Sequence, residues 1–590
     1  MLSIGAGSDS RLHDRPLAGK KVYIPPMAYG SGRAFASAFR AVGVDADIVP
    51  PSDDRTRELG ARYTSGDECY PAKVTVGDFM KVLEQPGVDP SKVVFFMPTA
   101  DGPCRFGQYA PYLRSVLDSC GYRETEVLSP TSQNSYAGLG SLAKPFVRTG
   151  WRLLVAGDAL QKLLLKTRPH EIEKGATDQV YEECLDDLCG TAEKAPLKPS
   201  VQLKALRDAM TRCRDRFRSV AVRRDPDTPL IGVVGEIFCR LNTFSNEDII
   251  RRMEQFGAEA WLSDVGEWVW YTIAEQFRKL KLMGQQFSLG MLGAMLRKHV
   301  QHHDEKVLLA PLKDDLKGYE EPDIDTILEG ARPYLPPDGA FGEMVLNIGK
   351  AVYLAKKGAD GILDISPFTC MNGIVSEAIY PRLSKDMGGI PIRNFYFDGT
   401  QSDLERDLGV YLELARAYQR RRRSAAFAAG ALSAFVAACL ALAELALSGI
   451  RIPGAALAAA LGVFGLTALL EGAITAAVVA ALESVQPGLL ERAHGSPRRA
   501  LSGLLLASLV LAAAGFLVAS SLPDGLEHLA ESIGITQLER TVLASPMPDY
   551  EARWLPSAWL QKAGAGLLGL VVTAAVCWAA GRWISRWRSA

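Results

Sequence analysis

The chain has 590 residues, with 66 Lys and Arg against 67 Asp and Glu and a formal net charge of -1. That length exceeds what one hydrophobic core organises, so several domains are expected, and the balanced charge carries no electropositive signature of a nucleic-acid binder. The ten cysteines are too sparse for a disulfide framework. The N-terminus MLSIGAGSDSRLHDRP has no apolar signal segment, so the bulk of the chain is expected in a reducing cytoplasm.

In chain order, KKVYIPP (20–26) reads as a strand, YGSG as a glycine turn, RAFASAFRAVG as an amphipathic helix and DADIVP as a second strand, which makes a βαβ opening. VTVGDFMKVLEQ then reads as helix, KVVFFMPT as a buried strand and GQYAPYLRSVLDSCGY as a helix with a terminal glycine. Residues 151–225 are rich in charged helix formers and poor in strand signals. A second α/β start follows at TPLIGVVGEIF (228–238), with the helix NEDIIRRMEQFG, the strand AEAWLS and, much later, the strand DGILDIS. The expected domains are a first Rossmann-like α/β domain over 1–150, a helical connector over 151–228, and a second over 229–418. The second carries a helical insertion over Trp268–Val300.

Near residue 424 the composition changes. Four apolar runs follow: SAAFAAGALSAFVAACLALAELALSG, GAALAAALGVFGLTALLEGAITAAVVAAL, LSGLLLASLVLAAAGFLVASSL and AGAGLLGLVVTAAVCWAAGRWI. At ~1.5 Å per residue each is long enough to cross a hydrocarbon layer of ~30 Å. A membrane domain of four transmembrane helices is therefore expected over 424–590. QRRRRS, ERAHGSPRR and GRWISRWRS lie on one side by the positive-inside rule, which places both termini on the cytoplasmic face of the inner membrane; Trp583 and Trp587 suit an interfacial belt. Glu444 and Glu471 fall inside the runs and are expected to face other helices, where they could mark an ion or proton path or hydrogen-bond between helices, or, for Glu444, to reach the interface.

In open parallel sheets ligands sit beyond the carboxyl ends of the strands. Cys69 in SGDECYPAK, Cys104 in PTADGPCRFGQY and Cys370 in SPFTCMNG occupy loops able to reach such a place, and a soft thiolate set of this kind suits an iron–sulfur cluster or zinc. Arg105, beside Cys104, is a candidate to pair with an anionic group, and Glu236 in VVGEIF is a candidate to move a proton. Cys239 could be a fourth ligand but also suits a small buried residue. Cys120, Cys184, Cys189 and Cys213 lie on helices as core or surface thiols. His299, His302 and His303 share a helical face that reads as solvated, and the YGSGRAF turn reads as a plain βα turn.

GDECYPAKVTVGDFM, DGPCRFGQYAPYLRSVLDSCGY, IGVVGEIFCRLNTFSNEDIIRRMEQFGAE and GADGILDISPFTCMNGIVSEAIYPRL with IRNFYFDGTQSDLE together resemble the 2-hydroxyacyl-CoA dehydratase and benzoyl-CoA reductase superfamily, in its branch related to CoA-enzyme activases. The resemblance covers roughly residues 20–418. It implies a [4Fe-4S] cluster on Cys69, Cys104 and Cys370, with one iron left open for a thioester or other small substrate. It also implies low-potential electrons from a separate ATP-dependent activase, since the chain has no GxxxxGK[ST] loop, and a homodimer or related subunit. The expectation is thus a membrane-anchored iron–sulfur protein of dehydratase or reductase type. A non-catalytic electron carrier and a zinc-stabilised membrane scaffold are the alternatives.

Overall fold

The computed structural model describes residues 17–99, 104–130, 136–337, 342–400, 403–447, 453–485, 552–557, 559–572 and 575. The chain divides into two compact units, one of Met1–Arg421 with Ser484–Gly488, the other of Arg422–Glu483 with Leu489–Ala590.

The first unit opens with β1 (Lys21–Ile24), α1 (Tyr29–Ala41), β2 (Asp45–Ile48), α2 (Asp54–Tyr63), α3 (Tyr70–Leu83), β3 (Val93–Phe96), α4 (Tyr109–Ser119) and β4 (Glu126–Leu128). The four strands pair in parallel in the order β2-β1-β3-β4. Every residue of β3, VVFF, is buried, as a central strand covered on both faces requires. A capping box between Asp53 and Thr56 starts α2. Helix α3 then crosses α2 so closely that a Cβ at Gly77 would lie 2.0 Å from the Thr56 carbonyl oxygen.

Three long helices follow: α5 (Ala143–Thr167), α6 (Ala176–Lys194) and α7 (Pro199–Ser219). The second sheet is then built from β5 (Leu230–Gly235), α8 (Ile237–Leu241), α9 (Ile249–Gln255), β6 (Glu259–Leu262), α10 (Val265–Leu282), α11 (Leu289–Leu309), α12 (Ile324–Ala331), α13 (Glu343–Lys356), β7 (Gly361–Pro367), α14 (Met371–Asp386) and β8 (Ile392–Phe397). It is again four-stranded and parallel, in the order β6-β5-β7-β8. One apolar cluster joins Tyr70 and Val74 of α3 to Ile231, Val233 and Ile365 of the second sheet, so the two lobes share a core. Strands β4 and β8, short or only half-buried, are additions to the elements read from the sequence.

The last described long helices are α15 (Leu404–Leu447) and α16 (Gly454–Val485). The first turns of α15 put Leu404, Leu408, Tyr411 and Leu412 into the core of the first unit. In the second unit, small residues set the packing: a Cβ at Gly472 would lie 2.8 Å from the Phe427 carbonyl oxygen, and one at Gly430 would lie 2.7 Å from Thr475 Oγ1.

The α/β class stands, within a chain that is mostly helical. The expectation of four transmembrane helices is corrected to two among the described residues, on α15 and α16. Their apolar windows are only 6% and 17% buried, unlike core helices of a soluble fold. The third run lies outside the described residues, as do Trp583, Trp587 and the side chain of Glu444. Of the fourth run, the described part belongs to the apolar helix Trp559–Val572, and most of the remainder lies outside the described residues. Glu471 is exposed on α16.

Candidate functional site

Both sheets change strand order between their two central strands, β1 and β3 in one and β5 and β7 in the other. The loops leaving β3, β5 and β7 carry Cys104, Glu236 and Cys370. At the end of β5, Gly235 has φ +127°, and a Cβ there would sit 2.1 Å from the Ile365 carbonyl oxygen. Only glycine allows that approach, and it brings the Glu236 N–H to the same oxygen at 2.9 Å. Just beyond β7, Thr369 holds φ +64°, a left-handed conformation that a β-branched residue adopts at a cost, and Cys370 follows it.

Cys69, Cys104 and Cys370 share one local role. Each is the N-cap residue of a helical segment, of α3, of the 3₁₀ turn Arg105–Gln108 and of α14, in extended conformation and with no side-chain capping bond. Their sulfurs are therefore not used to cap. Cys69 Sγ lies 2.6 Å from the Tyr109 hydroxyl. Cys104 lies within electrostatic reach of Cys69, Glu236 and Glu343, and Cys370 within reach of Glu236 and Glu343. Helix N-termini favour thiolate. Burial outweighs that effect here, with the nearby carboxylates adding to it: the Cys104 thiol is pushed up to about 11, although its side chain meets solvent, and Cys69 and Cys370 are also raised. Buried Cys239, on α8, is raised well above the ordinary thiol range by burial and then by Glu236.

Glu236 caps α8, accepting from the N–H groups of Phe238 at 3.0 Å and Cys239 at 2.8 Å. Glu343, the first residue of α13, accepts from the Ile237 N–H at 2.7 Å and from Asn372 Nδ2 at 3.2 Å. The two carboxyl groups thus flank one short helix, and burial first, then Glu236, pushes Glu343 up to about 8. Arg105 is exposed on the rim and donates to the Asp67 carbonyl at 2.8 Å, which holds the loop before Cys69. One residue on from Cys69, Tyr70 lines a cavity of about 340 Å³ together with Arg57, Ser245, Glu247, Arg252 and Thr400.

The structure therefore brings Cys69, Cys104 and Cys370 within electrostatic reach of Glu236, and leaves Arg105 exposed beside them. Sequence reasoning missed Glu343, Tyr109 and Asn372. Glu343 had a weak signal, an acid in the first turn of a helix after a glycine. Among the described residues no group of three or more His, Cys, Asp and Glu side chains is placed to hold a metal ion. His299, His302 and His303 are all exposed.

Fold and cleft together define a membrane protein whose two-lobed α/β unit collects thiols and carboxyls at the carboxyl ends of its strands. Two family models match the chain: the cobalt uptake substrate-specific transmembrane region over residues 408–489, and the PDGLE domain over residues 498–586. The second match contains the literal pentapeptide Pro523–Glu527, which was legible in the sequence and lies outside the described residues. No curated protein matches the chain.

These matches correct the functional expectation. Neither matched family is the 2-hydroxyacyl-CoA dehydratase superfamily, and with that the iron–sulfur dehydratase or reductase reading falls.

Proposed function

We propose that the chain is a membrane component of a transition-metal uptake system, with cobalt as the cargo its similarity suggests. One observation carries this reading: the cobalt-uptake match over 408–489 coincides with α15 and α16, the two helices long, apolar and exposed enough to cross a bilayer, and the PDGLE match follows directly. The soluble unit, on this reading, faces the cytoplasm, in line with the QRRRRS flank of the first apolar run.

Cys69, Cys104 and Cys370, with Glu236, are the donors we assign to receiving the ion after transfer. Thiolate and carboxylate both suit a divalent first-row metal. All four lie at strand or helix termini, with each sulfur within electrostatic reach of Glu236, and none of the three sulfurs is committed to capping. Their resting arrangement leaves the site open, so an arriving ion has to draw the sulfurs in and displace their protons.

Cells lacking their own cobalt uptake, expressing the full chain, provide the test. Cobalt accumulation above the empty-vector level is expected, reduced by Ala at Cys69, Cys104 or Cys370 and unchanged by Cys120→Ala. Accumulation at the empty-vector level, with the protein verified in the membrane, refutes the uptake reading. Iron with matching acid-labile sulfide in the purified protein refutes the assignment of the thiols to cargo.

A further inference from the structure

Helices α10 and α11 form a hairpin whose tip is unusually apolar on its outside. Gly284, at φ +69°, closes α10: its N–H bonds to the Lys281 carbonyl at 3.0 Å, and the Gln285 N–H bonds back to Leu280 at 2.8 Å. Ser288 then caps α11 through the Met291 N–H at 3.1 Å. The tip is thus a built turn. Met291 and Ala294 face inward and are buried. Outward stand Leu282, Phe287, Leu289, Leu292, Met295 and Leu296, with Phe287 at 95% and Leu289 at 87% of full exposure. A run of large apolar side chains on one surface marks an interaction site.

Charge selects the occupant. Between Glu275 and Asp304 the sequence holds no acid and five basic residues: Arg278, Lys279, Lys281, Arg297 and Lys298. Arg278 is paired with Glu275. Lys279, Lys281 and Arg297 are exposed, and Lys298 lies over the Phe277 ring at 5.8 Å. Apolar side chains ringed by cations are the composition of a segment that lies in the interface of an anionic bilayer. A second copy fits worse, because a two-fold contact would set this like-charged ring against itself. The same chain carries α15 and α16, two helices long and apolar enough to cross a bilayer.

We propose that the α10–α11 tip inserts Phe287, Leu289 and their neighbours into the headgroup layer of an anionic membrane. The inference is independent of the cargo. The test uses the full chain with Phe287→p-benzoylphenylalanine, reconstituted into nanodiscs of phosphatidylcholine with or without phosphatidylglycerol, irradiated and read by mass spectrometry. Lipid adducts are expected, about tenfold more abundant with phosphatidylglycerol. Lys281→Glu/Arg297→Glu/Lys298→Glu should bring the yield to the phosphatidylcholine level with the circular dichroism spectrum unchanged. Cross-linking into a dimer or to another protein overturns the proposal. So does a yield independent of lipid charge, or no adduct while the same probe at Leu470 on α16 labels lipid.

Discussion

Lys350→Met probes the most heavily charged part of the interior. Lys350, on α13, is fully buried, with Nζ 3.0 Å from Glu267 Oε2 on α10 and bonded to Glu321. Lys162 on α5 is the second cation, 2.9 Å from Asp264 Oδ2 and 2.7 Å from Glu321 Oε1. Asp158, one turn before Lys162, accepts from Ser31 Oγ at 3.0 Å and from the Gly266 N–H at 2.8 Å. Two lysines thus face four carboxyl groups, and Lys350 supplies the one ion pair of Glu267 among the described residues. Removing one partner of a buried pair costs about 3–5 kcal/mol. Methionine keeps the packing of the aliphatic stem and Glu321 keeps Lys162, which sets the expected loss near the lower end, about 3 kcal/mol. For a compact unit of about 400 residues that is a fall in Tm of roughly 3–4 °C. Tryptophan emission of the full chain in detergent reads it, since Trp261, Trp268 and Trp270 lie in the same lobe. Lys350→Met/Glu267→Leu, which removes both charges, should recover at least half of the loss. A Tm for Lys350→Met within about 0.5 °C of the parent, the effect of under about 0.5 kcal/mol, would refute the reasoning.

Three further outcomes follow from the same structure. The folded chain holds a proton on Glu343, raised to about 8, that the unfolded chain releases near pH 4.3. Stability from this group therefore falls as pH rises between those values, by up to about 1.4 kcal/mol per unit, and levels above pH 8. Glu343→Gln should flatten that slope in urea titrations at several pH values, because the amide does not titrate; Asn372 Oδ1, which has no hydrogen-bond partner among the described residues, can turn to accept from it. In the membrane unit, Gly472→Leu should lower the yield of monodisperse protein in detergent on size exclusion; Gly462→Leu should not, since a Cβ there meets no described atom within 4 Å. Gly77→Val should destabilise the first lobe by about 2 kcal/mol or more, read as a lower Tm, because its side chain would enter the Thr56 carbonyl.

The elements legible in the sequence were those with a local cause. KVVFFMPT is apolar throughout because β3 is buried on both faces, and its pattern announces that without a structure. The runs of α15 and α16 were legible for the same reason: apolar length alone separates them from the charged chain before Arg423. The exposed outer face of α11 was not legible, since a buried and a lipid-facing leucine have the same hydropathy and only the neighbours differ. Nor was the function of the membrane segment, for composition marks a helix as apolar without saying what it passes.

By itself, then, the sequence determined where strands end, where thiols follow them and where the chain turns apolar, because backbone propensity and hydropathy act over a few residues. Tertiary structure alone decided that Cys69, Cys104 and Cys370 come within electrostatic reach of Glu236, and Cys104 and Cys370 of Glu343. It also decided that Arg105 is held by the carbonyl of Asp67 and that four carboxyl groups gather around two buried lysines. Those relations join residues up to hundreds of positions apart, and they arise only when two sheets bury their faces on a common core. That burial is what fixes which charges meet and what each must hold.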